Sequence, residues 1–283
     1  MPGPIDLHTH SSVSDGTETP TQLIAAAVEF GLGAVAITDH DSTAGWGEAF
    51  AAASGTGLTV IPGMELSTNY GPASVHILAY LFDSTNGGIV AETARIRDGR
   101  LRRAESIVAK IAEDYPLSWA DVLAESSDGT TLGRPHIADA LVRKGIVPNR
   151  SAAFESILHW RGNYYEKYYA PSPLEGVRMI VRAGGVPVLA HPATHGKYRS
   201  MDDTVIGQLT DEGLFGLEVR HRDNTEDGKA RLLTLAAKLG LEITGASDYH
   251  GDGKPNRLAE NTTEPEVLAK LIARGTGSTP YYG

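Results

Sequence analysis

The sequence contains no cysteine. That excludes disulfide staples, thiolate metal sites and a cysteine nucleophile, and it fits a reducing compartment. No apolar run approaches the roughly 20 residues needed to cross a bilayer. The opening stretch, Met-Pro-Gly-Pro-Ile-Asp-Leu-His, lacks the basic-then-apolar order of a secretory signal, so a cytoplasmic protein with no membrane partner is expected. Positive charge is also in short supply. Lys and Arg number 25 against 35 Asp and Glu, a formal net charge of −10. A surface that coats polyanions generally carries clustered Lys and Arg, so this balance argues against one. It does not exclude a small phosphorylated substrate, because dications bound by some of the carboxylates would invert the local field.

What is present suits one large folded unit. The chain has 283 residues, 41 % of them hydrophobic, enough for a full core. Short apolar runs at 5–10, 34–38, 59–65, 74–82, 186–190, 216–219 and 242–246 alternate with helical patterns. That rhythm predicts βα units around a mostly parallel sheet. Thr19, Pro20 and Gly31 mark the start and stop of a helix between the first two strands. From 87 to 170 the rhythm breaks, with helical patterns at 95–114, 119–125, 135–144 and 152–159 and no strand between them. The chain therefore divides into a barrel, residues 1–86 and 171–283, and a helical insertion, 87–170, folded over the barrel mouth. Residues 275–283 read as a tail.

Chemistry concentrates where the predicted strands end. Asp6-Leu7-His8-Thr9-His10 closes the first strand, and side chains two apart on a strand point the same way. His8 and His10 can thus grip one ion. Thr38-Asp39-His40-Asp41, Gly63-Met64-Glu65, His191-Pro192 and Ser247-Asp248-Tyr249-His250 each close another strand, and His76 lies within one. A parallel barrel brings such ends to one face, where barrel active sites gather. Imidazole and carboxylate without thiolate suit Mn, Fe, Zn, Co or Ni.

These motifs, with Ser11 and Ser14-Asp15-Gly16, resemble those of the PHP (polymerase and histidinol phosphatase) family of the amidohydrolase superfamily. The resemblance spans residues 6 to 250 and implies an α/β fold, a distorted (β/α)7 barrel, with two or three divalent ions. Mn comes first among them, with Fe, Zn, Co or Mg as alternatives. Carried over by motif, His8, His10, Glu65 and Asp248 hold one ion. Glu65, as a bridging carboxylate, holds a second with His76 and His191. Asp15, His40 and His250 hold the third, although Asp15 stands where some relatives have histidine. Three carboxylates supply about −3 against about +6 from three dications, leaving a cationic site for phosphate. Hydroxide generated between the ions is then expected to attack phosphorus in line, with no side-chain nucleophile. Glu218 and His221 follow the strand at 216–219, as a similar pair often does in the family. His221 is a candidate proton donor to the leaving oxygen or a support for the ligands.

Within the insertion, Gly133-Arg134-Pro135-His136 opens a helix, and Arg134 offers a planar fork for phosphate. The segment resembles that of a subgroup containing nucleoside 3′,5′-bisphosphate phosphatases and RNA 5′-end exonucleases. There Arg134, His136 and Lys167 would meet a second phosphate. The expected substrate is a small nucleotide, with short RNA as the rival and no protein partner inferred. Histidinol phosphate, C–N hydrolysis and a non-enzymatic metal-binding module are weaker alternatives. The run Arg95, Arg97, Arg100, Arg102 and Arg103 could form a local basic groove for RNA but reads more simply as a solvated helix face; Tyr165, Tyr168 and Tyr169 could stack on a base but read as packing residues, and His159 and His195 as surface residues.

Overall fold

A computed structural model describes residues 3–126, 129–194 and 201–283; His195 lies outside them. The elements run β1 (Ile5–Thr9), α1 (Pro20–Phe30), β2 (Ala34–Ile37), α2 (Trp46–Ala53), β3 (Thr59–Tyr70) and β4 (Ala73–Tyr80). Four helices follow without a strand: α3 (Gly87–Ile111), α4 (Trp119–Leu123), α5 (Arg134–Arg143) and α6 (Arg150–Glu155). The chain then returns through α7 (Pro173–Arg182), β5 (Val186–Leu189), α8 (Asp203–Asp211), β6 (Gly216–Arg220), α9 (Glu226–Leu239), β7 (Glu242–Gly245), α10 (Pro265–Arg274) and β8 (Tyr281–Tyr282). No helix among the described residues is long and apolar enough to cross a membrane.

Strands β1 to β7 lie side by side in chain order. Beyond β7, Tyr249 closes on β1: His10 N–H donates to the Tyr249 carbonyl at 2.8 Å and Tyr249 N–H to that of His8 at 3.3 Å. The result is a nearly closed barrel, the distorted seven-stranded form expected. Two features depart from the sequence reading. β3 continues to Tyr70 and turns through Gly71, at φ 58°, into an antiparallel β4, which also runs antiparallel to β5. A period-two pattern fixes which residues share a face but not strand direction. The last residues are packed, not a loose tail. Tyr281 and Tyr282 pair with β3, and the Tyr281 ring stacks on Phe50 at 5.2 Å.

Alternation along the strands sorts the core. Ala34, Ala36, Val186 and Val188 join one buried cluster with Leu268 and Leu271 of α10. Val35, Ile37, Leu217 and Val219 join another, beneath α1, α2, α7, α8 and α9. α1 forms because a Thr19–Gln22 capping box starts it, Pro20 fits its first turn and Gly31 closes it in the left-handed conformation. α3 starts earlier than expected, because Asn86 accepts from Gly88 and Ile89 N–H and so caps the helix at Gly87. Its C-terminal half buries Ala104, Ile107, Val108 and Ile111 against Val122, Ile137, Leu141 and Ile157 in a third cluster, separate from the barrel's.

Candidate metal centre

The histidines and carboxylates singled out in the sequence meet at one point, with Glu65, from the middle of β3, at its centre. Glu65 Oε2 lies 3.4 Å from His8 Nε2, 3.1 Å from His10 Nε2 and 3.2 Å from His40 Nδ1. Its Oε1 lies 2.7 Å from His76 Nδ1 and 3.2 Å from His191 Nε2. Asp248 Oδ1 is 3.4 Å from both His8 Nε2 and His10 Nε2. On the far side, Asp15 Oδ1 is 3.2 Å from His250 Nε2, and Asp15 Oδ2 is 3.8 Å from His40 Nε2. Every one of these side chains is buried except that of His76, which is partly exposed.

The cluster fits divalent ions on three counts. First, His8 and His10 point their Nε2 atoms at each other, 3.1 Å apart. Donor atoms about 2.1 Å from a shared ion and at right angles around it would be about 3 Å apart. Second, the remaining ring nitrogens are engaged so that a lone pair faces the cluster. His8 Nδ1–H donates to Glu218 Oε1 at 3.0 Å, and His250 Nδ1–H donates to the Asp248 carbonyl at 2.8 Å. Both arrangements leave Nε2 open, the carboxylate- or carbonyl-backed geometry typical of ligating histidines. Third, buried polar atoms here lack hydrogen-bond partners: His40 Nδ1, His250 Nε2 and Asp248 Oδ1. Buried donors and acceptors are otherwise almost always paired.

The close-set charges also shift the titrations. Burial alone would raise the Glu65 carboxyl, but the imidazoles of His76, His40 and His8 hold it well below its ordinary range. Asp15 is likewise held low against burial by His250 and His40. Burial opposes protonation of His10, yet the adjacent carboxylates of Asp248, Glu65 and Asp15 carry it up to about 9. Burial and the neighbouring Lys254 push His250 down to about 4, so its lone pair is free at neutral pH. Backbone strain accompanies the cluster: His191 sits at φ 30° and Asp248 at φ 55°, values disfavoured for residues with a Cβ.

A layer of hydrogen bonds holds the donors in place. Asp39 accepts from Ser11 N–H, Ser11 Oγ–H and Ser14 Oγ–H. Asp6 accepts from the N–H groups of Ser247 and Ala259. His221 lies behind Asp248, its Nε2 3.7 Å from Asp248 Oδ2. Its Nδ1 accepts the Asp223 N–H at 3.1 Å, which leaves the proton on Nε2. That tautomer suits a donor better than a ligand.

A cavity of about 600 Å³ opens from this cluster toward α3, α5 and α6. Asp15, His40 and His76 line it on the side of the cluster, and Arg103 and Arg134, gathered over the Tyr165 ring, line it with Lys167 from the insertion. Six cationic side chains (Arg100, Arg103, Arg134, Arg150, Lys167 and Lys254) face two carboxylates there, Asp15 and Glu155. The cleft is thus basic on an acidic protein. Arg103 Nε donates to the Glu166 carbonyl and Arg134 Nη1 to that of Leu158. Burial and the adjacent Arg134 drag the Arg103 guanidinium down to about 10. Two guanidinium groups held this close suit a shared anion.

Several sequence expectations need correction. His136 does not line the cavity. Its Nδ1 accepts Gly133 N–H at 3.2 Å, and the ring also bonds the Ser14 backbone, so it ties α5 to the loop bearing Asp15. The arginines of α3 are a solvated face only in part: Arg95 and Arg102 are exposed, but Arg97, Arg100 and Arg103 turn inward. Arg100 is buried on Asp41 and Ser67, Arg97 donates to the Asp41 carbonyl, and Arg95 lies 3.5 Å over the Tyr169 ring. His159 lines the cavity and is not simply a surface residue. Lys254 escaped the sequence reading: its Nζ donates to Asp248 Oδ2 at 2.7 Å. A lone lysine in a Gly-Asp-Gly-Lys turn carries no motif that would have found it.

The model of the PHP domain matches residues 6–118. A 3′,5′-nucleoside bisphosphate phosphatase of Chromobacterium violaceum is 31 % identical over 277 residues, which cover 95 % of each chain. A 5′-3′ exoribonuclease of Haemophilus influenzae is 31 % identical over 246 residues, 87 % of this chain and 89 % of that one. Among solved structures, a Bifidobacterium adolescentis protein designated a metal-dependent phosphoesterase superposes with TM-score 0.93 at 42 % identity, covering 97 % of this chain and 98 % of that one. An amidohydrolase from Chromobacterium violaceum, crystallised with sulfate and without metal, gives 0.85 at 30 % identity, covering 96 % and 97 %.

Proposed function

This chain belongs to the PHP family of metal-dependent phosphoesterases, and from that premise we propose that it removes phosphate from a nucleoside 3′,5′-bisphosphate, such as 3′-phosphoadenosine 5′-phosphate. The observation that carries the substrate is the two-ended cavity. Imidazoles and a carboxylate stand at one end, and the paired guanidiniums of Arg103 and Arg134, with Lys167, stand at the other. A monoester needs only the first end. A compound with two phosphates engages both.

His8, His10, Glu65 and Asp248 would hold one ion, Glu65, His76 and His191 a second, and Asp15, His40 and His250 a third, with Mn preferred. When bound, such ions act as Lewis acids toward phosphoryl oxygens and lower the pKa of water. Glu65 keeps the neighbouring donor sets in register, because each of its oxygens serves a different group of imidazoles. His221, its proton fixed on Nε2 by the Asp223 N–H, would donate to the leaving oxygen. Arg103, Arg134 and Lys167 would bind the phosphate that is not cut and orient the one that is.

A second reading, stepwise removal of nucleotides from the 5′ end of short RNA, is favoured by a different observation. A shallow groove of about 470 Å³ along α3 shares Arg103 and Lys167 with the cavity and continues past Arg95 and Arg102. One experiment separates the readings: phosphate or nucleotide release by Mn-loaded protein from the bisphosphate, from AMP and from 5′-phosphorylated trinucleotides. The bisphosphate should react best. Replacing Arg134 with Ala should raise KM for it by about 10- to 100-fold while leaving simple monoesters untouched. Equal loss on both classes of substrate would remove the reason for assigning a second phosphate site.

A further inference from the structure

Asp248 divides its two oxygens between different tasks. Oδ1 faces His8 and His10, 3.4 Å from each Nε2, and has no hydrogen-bond partner among the described residues. Oδ2 accepts from Lys254 Nζ at 2.7 Å. The lysine is not sealed behind the carboxylate, because 38 % of its side chain is exposed and it lines the cavity where Asp15, His40 and His76 do. An ammonium has three N–H donors. Among the described residues, Asp248 takes one and no other acceptor is bonded to Nζ.

The turn carrying Lys254 is shaped to bring it there. Asn256, buried, donates to the Ser247 carbonyl at 2.7 Å, and Asp252 N–H donates to Thr17 Oγ1 at 2.9 Å. Gly251 takes φ 62°, and a Cβ at Gly253 would collide with Arg150 Nη1. Other cations near the same end are committed elsewhere: Arg100 to Asp41 and Ser67, and Arg150 to Asp139 and the Asp15 carbonyl. Among the described residues, Lys254 is the lysine there with donors to spare.

We propose that Lys254 is a catalytic residue that donates from Nζ to a non-bridging oxygen of the phosphoryl group being cleaved. The role rests on the reading of this centre as a phosphoesterase. It extends that reading to a residue outside the ion-holding motifs. Lys254 would steady the phosphorus-bound oxygens as charge builds on them, and its bond to Asp248 would fix the direction from which it does so.

The test uses the Mn-loaded full chain and two variants. Lys254→Met keeps the aliphatic length without the charge, and Lys254→Gln keeps a neutral donor for Asp248. Expected for both are Mn content and melting temperature like the parent, a kcat lower on the order of 10²-fold, and weaker inhibition by inorganic phosphate by about tenfold. A kcat and phosphate inhibition within about twofold of the parent would overturn the assignment. So would a loss of Mn that tracks the loss of kcat, since Lys254 would then only support Asp248. If Lys254→Met does not fold, Lys254→Gln decides by the same readouts. A parent protein that binds Mn but hydrolyses no phosphate ester would defeat the phosphoesterase reading itself. An active parent with indifferent variants defeats Lys254 alone.

Discussion

Replacing Glu218 with glutamine leaves one acceptor where two donors need one each. Glu218 is fully buried; its Oε1 accepts from His8 Nδ1–H at 3.0 Å, and its Oε2 accepts the His191 N–H at 2.8 Å. The amide introduced by Glu218→Gln would offer one oxygen and one NH₂. If the oxygen serves His191, the NH₂ meets the His8 Nδ1–H, and one buried donor goes unpaired at about 1–3 kcal/mol. His8 escapes that cost by moving its proton to Nε2. That atom is 3.1 Å from His10 Nε2 and faces Glu65 and Asp248, so the escape removes a ligand lone pair. Either route weakens the ion. Loss of such a backing carboxylate typically costs about 10- to 100-fold in affinity, about 1.4–2.7 kcal/mol. The assay is titration of metal-free protein with Mn against a competing chelator, with melting temperature as the control for folding. A dissociation constant within about twofold of the parent, in a folded Glu218→Gln protein, would refute the argument that Glu218 sets the His8 tautomer.

Arg150→Ala removes a two-pronged ion pair with Asp139 and the donor to the Asp15 carbonyl. The pair is partly exposed, so thermal or urea unfolding should show about 1–3 kcal/mol lost together with slower hydrolysis; unchanged stability and rate would count against the tether. In the metal-free protein, His10 titrates near 9 when folded, above its ordinary 6.5. Its contribution to stability is therefore full below about pH 6.5 and lost as pH rises through about 9. Melting temperatures of the metal-free protein should fall over that interval, and saturation with Mn should abolish the fall by displacing the proton; a fall of the same size with Mn bound would contradict the assignment of His10 as a ligand.

The strand-end residues were legible because the information is local. A histidine or carboxylate directly after an apolar run declares its place on a barrel, and parallel strands bring those places together whatever the loops do. His8, His10 and His191 needed only that rule, whereas Glu65, read as closing a strand, lies within β3, which runs on to Tyr70. What failed depends on pairing or on burial without apolarity. β4 reads as a strand in either direction, and its antiparallel course is set by the tight turn at Gly71. Arg97, Arg100 and Arg103 look solvated because they are charged, and their burial follows from where α3 crosses the barrel mouth. His136 carries the residue type of a ligand but spends it on capping its own helix. Tyr281 and Tyr282 pair with a strand more than two hundred residues earlier, a contact no local pattern encodes.

The cavity has two makers. Strand ends supply the end where bonds would break, while helices between β4 and β5 supply much of the end that would choose what enters. Those helices carry a core of their own, so substitutions at positions such as 134 or 167 can redirect selectivity without disturbing the hydrolytic end. Descendants of one ancestral hydrolase could thus diverge toward different phosphorylated compounds by altering a single excursion of the chain. Arg100 and Arg150, which reach from the helices to the barrel, mark where such divergence has to be concerted.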